Sequence, residues 1–477
     1  MNRRMLRALC LFAPAGLAAC TPGPRDLDAH AALPPPASPQ TFAPVSGTAQ
    51  ATRDIPAPAD WWRAFGSPQL DALVAEALAH ATDIAVADAS LRQAREQASA
   101  TAGAALPQLD ASYQAQRTRV SNALSPQIAD QNQYLYTLHT AQVMVAYAPD
   151  LFGGARAKTR SARAAAQAAQ DRLDAARTTV VANLVLAVIQ RAALADQIAA
   201  AQASITVNRD ILRDQLRRQQ LGAIGASDVA TQQTALATAE GALPPLVRAE
   251  AHQRVLIGTL LGRAAGSELP PLPAFTQLSL PHDLPLLLPS ELVARRPDVR
   301  AAQAQLEGAG ADLGVAIAAR LPSIQLSANA GGTAQNFADM FKDGNPFWAL
   351  IGGITQPIFH AGTLLHQQHA AQAALDGAKA QYRAAVLQAF GDVSDALSGL
   401  HADADALDAA SRASDASGRA LVFVRRQLEL GDVGSLALLN AAAADAQARG
   451  QLIQARAARL SDTVAMFQAA GGGVWNH

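Results

Sequence analysis

Apolar and polar positions along this chain follow two alternating periods. From Leu73 to Ala105 the spacing predicts one helix of about thirty residues, closed by Pro107, which does not continue a helix. The period then drops to two. Ser323-Ile324-Gln325-Leu326-Ser327-Ala328-Asn329 alternates strictly, and Gln108 to Arg117 and Thr140 to Tyr147 alternate more weakly, so strands are predicted. Polar loops rich in Gly, Asn, Asp and Pro, Ser121–Asn132 and Gly331–Asn345, separate paired strands. Helical spacing resumes at Gly154 and runs to Gln220 with no Pro or further Gly, roughly 100 Å at 1.5 Å per residue. Thr363 to Leu430 predicts a second helix of similar length, and Glu291 to Arg320 a second short one.

The pattern occurs twice. Asp83-Ile84-Ala85-Val86-Ala87 matches Asp298-Val299-Arg300-Ala301-Ala302 at an offset of 215, which Leu91/Leu306 and Leu106-Pro107/Leu321-Pro322 keep. Asp150-Leu151-Phe152 aligns with Pro357-Ile358-Phe359 at 207, and Leu221-Gly222 with Leu430-Gly431 at 209. An internal repeat of this length is read before anything else in a sequence. Each copy reads helix, strand, strand, long helix, Gly-containing turn, helix. The turns are Leu221-Gly222-Ala223-Ile224-Gly225-Ala226-Ser227 and Leu430-Gly431-Asp432-Val433-Gly434-Ser435. In them Gly suits a helix C-cap and Ser227 or Ser435 the next N-cap.

Composition sharpens this. Half of the chain is hydrophobic, yet only 4% is aromatic. Rings dominate ordinary cores, so close contact between Ala-rich helices is expected. Net charge is −1, which leaves no electrostatic footprint for nucleic acid. Beyond the N-terminus no apolar run of about 18 residues stands out, so no membrane-spanning helix is expected.

Arg3, Arg4 and Arg7 precede the short apolar stretch Ala8–Ala19, the form of an export signal. It ends Leu17-Ala18-Ala19-Cys20, which resembles a bacterial lipobox; cleavage would leave Cys20 lipidated and first. Thr21 rather than Asp follows, and the resemblance implies sorting to the outer membrane. Cys10 leaves with the signal, so neither a disulfide nor Cys-based metal or thiol chemistry survives. Prolines from Pro22 to Pro58 make an extended tether. The expected organisation is signal peptide 1–19, lipid-anchored linker 20–59, first repeat 60–265, inter-repeat linker 266–286, second repeat 287–473 and tail 474–477.

Four strands of about ten residues have the length of transmembrane β-strands, but four cannot close, and lipid forbids open edges. Such a chain must oligomerise or keep its sheet in water. Two chains would give a plugged barrel; three would give twelve strands and a lumen, and only the lumen makes sense of the long helical extension. The body from Trp61 to Trp475 resembles the outer membrane factor family, in its lipoprotein branch. The resemblance is carried by Trp61-Trp62 with Phe65; Pro289-Ser290-Glu291-Leu292 with Arg295-Arg296-Pro297-Asp298; Leu321-Pro322-Ser323-Ile324; Gln356-Pro357-Ile358-Phe359 with Gly362; and Gly471-Gly472-Gly473 before Trp475. It implies a mainly α fold with a small β part. Each protomer gives four strands to a trimeric twelve-stranded β-barrel, and long helices form a periplasmic barrel. The homotrimer would be the exit duct of a tripartite efflux pump in the Gram-negative outer membrane, partnered by a periplasmic adaptor and an inner-membrane transporter.

The resemblance also nominates sites. Leu221, Gly222, Ser227, Leu430, Gly431 and Ser435 match tip turns where adaptor hairpins dock; helix capping is the plainer reading, and both can hold. Asp228 matches the family, and Asp432 adds charge; Asp228 is expected either to pair with Arg425 or Arg426 as a latch or only to complement its helix dipole. Ala437 and Asn440 stand where the family carries acids, which puts an acidic aperture ring in doubt. Arg295-Arg296-Pro297-Asp298 reads as a helix start. His360, His366 and His369 lack acidic or Cys partners and read as a solvated face. No catalytic signature, cofactor motif or metal site is recognised, and no enzyme activity is expected. The alternatives are a lipid-anchored periplasmic coiled-coil adaptor and a structural protein without channel activity.

Overall fold

The computed structural model describes residues 50–53, 55, 57–119, 135–285, 294–473 and 475 of the 477-residue chain. Lipidation at Cys20, the signal peptide, nearly all of the tether, the loop Ser121–Asn132 and the Pro289–Leu292 motif lie outside the described residues, as does the side chain of Ser435.

The elements are β1 (Ala51–Arg53), α1 (Pro68–His80), α2 (Thr82–Gly103), β2 (Gln108–Arg119), β3 (Leu135–Tyr147), α3 (Gly154–Gln220), α4 (Ala226–Leu260), β4 (Asp283–Pro285), α5 (Pro297–Ala318), β5 (Ser323–Ala334), β6 (Pro346–Thr355), α6 (Thr363–Leu430) and α7 (Ser435–Ala469). The duplication is plain in the lengths. α2 and α5 each have 22 residues, α3 and α6 have 67 and 68, and α4 and α7 have 35 each. The two long helices take the bounds expected from the sequence. α4 continues through Pro244 and Pro245, although each Pro removes one helical N–H donor.

The helix expected over Leu73–Ala105 is instead divided. Ala81 is extended (φ −61°, ψ 129°) between α1 and α2. Ser67 starts α1 by accepting from the Leu70 N–H at 3.3 Å, and Asp83 stands in the first turn of α2, where a negative charge complements the helix dipole. The break itself is tertiary: the His80 carbonyl packs against Gly262, where a Cβ would collide with it. In the second copy Ala294 and Arg295 are helical, Arg296 interrupts, and α5 begins at Pro297; the expected start at Glu291 lies outside the described residues.

Two units can be distinguished. The described residues of the first fall in Arg92–Ala168 and Gln303–Gln381; those of the second fall in Ala32–Leu91, Ala169–Ala302 and Tyr382–His477. The first unit holds an antiparallel sheet of order β2-β3-β5-β6. Its helices pack through small residues: a Cβ on Gly154 would lie 3.1 Å from that of Ala318, and one on Gly308 3.6 Å from that of Ala164.

The second unit buries a cluster of aromatic rings. Trp61, fully buried, stacks on Phe467 at 5.3 Å, and Trp62 stacks on Trp475 at 6.1 Å. The Trp475 indole donates to Thr178 Oγ1 at 3.1 Å. β1 pairs in parallel with β4, a contact for which the sequence carries no signal. The expectation that no apolar window of spanning length exists needs correction. α3 contains 18 residues of mean hydropathy 1.6, and 61% of that window is buried. Val181, Leu184, Val185, Val188 and Ile189 all face the interior, so the stretch is a core face, as the central helix of any large helical body would be.

Candidate functional site

The sheet has two chemically different faces. Side chains alternate along a strand, so the register decides which residues share a side. Leu109, Ala111 and Tyr113 of β2 lie opposite Val145, Val143 and Ala141 of β3. These meet Ala328, Ala330 and Gly332 of β5, which in turn oppose Leu350, Trp348 and Pro346 of β6. Leu109, Trp348, Leu350 and Ile354 are largely exposed on this apolar side. The other side carries Asp110, Ser112, Gln114 and Gln116 of β2, Thr140 and Gln142 of β3, and Gln325, Ser327, Asn329 and Thr333 of β5. Thr140 and Thr333 join hydroxyls across it at 3.1 Å. β6 contributes least to the contrast, with Phe347, Ala349 and Ile351 on the polar side. β2 and β6 are the free edges. An apolar face, a polar face and two unpaired edges are what an incomplete membrane barrel presents.

The helical tips lie in the second unit and are built alike. At the end of α3, Gly222 is left-handed (φ 73°). Its N–H donates to the Gln219 carbonyl, and the Ala223 N–H to that of Arg218, both at 2.9 Å. At the end of α6, Gly431 (φ 82°) donates to Leu428 at 3.1 Å and Asp432 to Gln427 at 2.9 Å. Both are Schellman closures, in which Gly avoids a Cβ penalty. A Cβ at either glycine would meet nothing within 4 Å, so backbone conformation, not space, selects Gly. Leu221 and Leu430 beside them are 78% and 62% exposed.

The expected serine caps are corrected. Gly225 and Gly434 are the N-cap residues, while Ser227 and Ser435 lie inside α4 and α7. Asp228 does the capping: its carboxylate accepts from the Gly225 N–H at 3.3 Å. Glycine leaves the turn extended without a side-chain acceptor, so the third residue of the helix reaches back. The structure does not bring Asp228 to Arg425 or Arg426 within one chain. Arg426 is bonded to Glu429 at 2.8 Å. Arg425 lines a groove of about 390 Å³ with Val207, Asp210, Ile211, Asp214, Leu428 and Leu438. Asp432 is exposed at its tip.

The second unit also contains buried polar groups whose partners the sequence does not give, although Arg296 and Asp298 belong to the motif read there as a helix start. Arg296, preceding Pro297, donates to Asp298 at 2.7 Å and to Asp392 at 2.8 Å. Burial opposes its charge, but these two carboxylates hold its pKa above the usual guanidinium value. It lines a polar groove of about 530 Å³ together with Asp392, Asp395 and Asp462. Arg459 of α7 is fully buried. It donates to Gln50 Oε1 at 2.7 Å and to the Leu400 carbonyl. Asp403 faces Asp462 beside it, and burial together with the neighbouring carboxyl pushes Asp403 up to about 6. Arg459 and Asp403 carry no such signal, because their sequence neighbours are ordinary helix residues. His366 and His369 pack ring edge to face at 6.2 Å, and among the described residues no group of three potential ligands could hold a metal.

With the geometry in view, comparison with known proteins is specific. The model of the family described as outer membrane efflux protein matches residues 73–263 and 288–472. The chain is 30% identical over 471 residues to the pyoverdine export outer membrane protein OpmQ of Pseudomonas putida, covering 98% of this chain and 97% of that one. Among solved structures it is similar to the outer-membrane channel OprN, with a TM-score of 0.83 at 26% identity, over 88% of this chain and 94% of that one. It is similar too to the open state of the MtrE outer membrane channel of Neisseria gonorrhoeae, with a TM-score of 0.80 at 26% identity, over 90% and 94%. The chain belongs to the outer membrane efflux protein family. It is an efflux channel of the outer membrane, in a family whose members transport rather than catalyse.

Proposed function

We propose that three copies join β2 of one protomer to β6 of the next, closing twelve strands around a water-filled lumen. The observation that carries this is the register, which leaves both edges open and sorts the apolar residues onto one face and the polar ones onto the other. In lipid an unpaired edge leaves backbone groups unsatisfied, so the single chain is incomplete as a membrane structure. The repeats span 60–265 and 287–473, a reading supported by the family-matched stretches 73–263 and 288–472 that fall within them. Cys20 carries the lipid, and the linker to residue 59 tethers it to the body.

The homotrimer is the exit duct of a tripartite pump. A periplasmic adaptor docks on the glycine turns, where Leu221 and Leu430 offer exposed apolar contacts, and links the duct to an inner-membrane transporter. The relative named for pyoverdine export supports a small-molecule cargo, carried and not changed. Asp228 and Asp432 of one protomer face Arg425 or Arg426 of a neighbour across the closed aperture.

Planar-bilayer recording of the purified full-length protein tests the duct. Discrete channels are expected, and their absence would count for the adaptor or structural alternative. Asp228→Ala is expected to raise single-channel conductance; an unchanged conductance removes the latch.

A further inference from the structure

The apolar face of the sheet changes character at the end where β5 turns into β6. Ile354, Leu350 and Trp348 mark its apolar rows, and Tyr113 its last aromatic one. His139 follows opposite Ala115, and then Arg117 and Arg119 project from the same side of β2, opposite Thr137 and Leu135. The connecting turn folds back onto this side. A Cβ at Gly332 would collide with the Met340 carbonyl and the Phe341 ring. The Phe337 ring meets Tyr113 edge-on at 5.6 Å and His139 at 6.2 Å, while Tyr113 Oη lies 2.8 Å from His139 Nδ1. Phe337 and Phe341 nevertheless remain 62% and 67% exposed.

Among the described residues the charges of this rim are not balanced locally. Lys342 is held by Asp339 at 2.5 Å, and Asp339 also accepts from Asn336 at 3.1 Å. These two donors keep Asp339 below the usual carboxylate range. Asp343 is the remaining carboxylate of the turn. Arg117 and Arg119 are exposed and form no ion pair among the described residues. An outward band of apolar side chains, then aromatic rings, then exposed guanidinium groups matches the sequence of environments from acyl chain to headgroup.

We infer that this rim is a docking surface for phosphate-bearing lipid headgroups in the membrane leaflet remote from the helices. Phe337 and Phe341 sit at the acyl boundary. Arg117 and Arg119 reach past them, their stems along apolar surface and their heads on phosphate oxygens. The trimer would present the pair three times, as a ring. The inference rests on the apolar face being the outer wall of the barrel.

The test uses the full-length trimer in nanodiscs of zwitterionic lipid doped with a diphosphorylated glycolipid or with its dephosphorylated counterpart. Lipid retained on the extracted trimer is counted by native mass spectrometry. The wild type is expected to retain the phosphorylated form selectively. Arg117→Gln with Arg119→Gln should reduce that retention by about fivefold or more for each arginine removed. Arg117→Lys with Arg119→Lys should preserve most of it, and Arg412→Gln on α6 should leave it unchanged. If the Gln pair does not assemble, a salt titration of the wild type decides. Retention should collapse as ionic strength shortens the screening length from about 10 Å to about 3 Å, and salt-independent retention overturns the inference.

Equal retention by wild type and the Gln pair also overturns it, as does displacement by millimolar inorganic phosphate, which would mark a free-anion site. A changed ion selectivity with unchanged lipid retention would place the arginines in the lumen and overturn the outward assignment as well. A wild type that retains the lipid but does not conduct would fail the duct alone.

Discussion

Arg459 is a guanidinium with no exposed surface, and its partners explain how it is tolerated. Gln50 and the Leu400 carbonyl take two of its donor groups, while Asp403 and Asp462 supply negative charge without closing an ion pair among the described residues. Burial, and after it the facing Asp462 carboxyl, since two such groups do not both ionise easily, push Asp403 up to about 6. The sign of the consequence is fixed. A folded-state pKa above the unfolded value means the folded protein binds the extra proton. Its stabilisation is complete below the unfolded pKa and is lost as pH rises through about 6. The slope stays below the ~1.4 kcal/mol per pH unit of one full proton, because the folded and unfolded states differ by less than one bound proton at any pH. Thermal unfolding of the detergent-solubilised protein between pH 4 and 7 checks this. Asp403→Asn is expected to flatten the dependence, and an equally steep profile in that variant would assign it to another group.

Helix ends show how one local motif serves different surroundings. Gly222 and Gly262 both close helices with left-handed backbones, at φ 73° and 71°. Gly222 faces open space, whereas a Cβ on Gly262 would collide with the His80 carbonyl. Gly222→Ala should therefore cost only the backbone term, about 1 kcal/mol. Gly262→Ala should cost that plus a displaced α1–α2 junction, about 2–4 kcal/mol; the two melting temperatures compare them. Comparable losses would show that the junction yields freely. Larger replacements at the tips separate folding from docking. Gly222→Trp and Gly431→Trp are expected to leave the trimer assembled, by cross-linking, while abolishing efflux from cells. Full transport by these variants would move the adaptor contact elsewhere.

Across the molecule the sheet makes the sharpest demand, because its two faces require opposite substitutions. Leu350→Arg puts a charge on the apolar side. It is expected to reduce insertion into lipid vesicles by about 2–4 kcal/mol if the site lies near the bilayer midplane. Ser327→Arg, on the opposite side of the adjacent strand, should insert normally and shift ion selectivity towards anions. If both variants insert equally, the assignment of faces is wrong.

The sequence by itself determined the periodic features: two long helices bounded at Gly154–Gln220 and Thr363–Leu430, the alternating strands, the glycine tips and the duplication. These are local, since apolar spacing and a glycine needing positive φ act over one or two turns of chain. It misplaced what depends on distant partners. Ala81 looks like any helix residue until the His80 carbonyl is set against Gly262. Ser227 looks like a cap until Gly225 takes the position and Asp228 reaches back. Gln50 and Arg459 lie more than 400 residues apart, and β1 and β4 pair across the chain. Only the tertiary structure decided these contacts, because the free energy of burying a polar group depends on which partner arrives in space, and spacing along the chain does not carry that information.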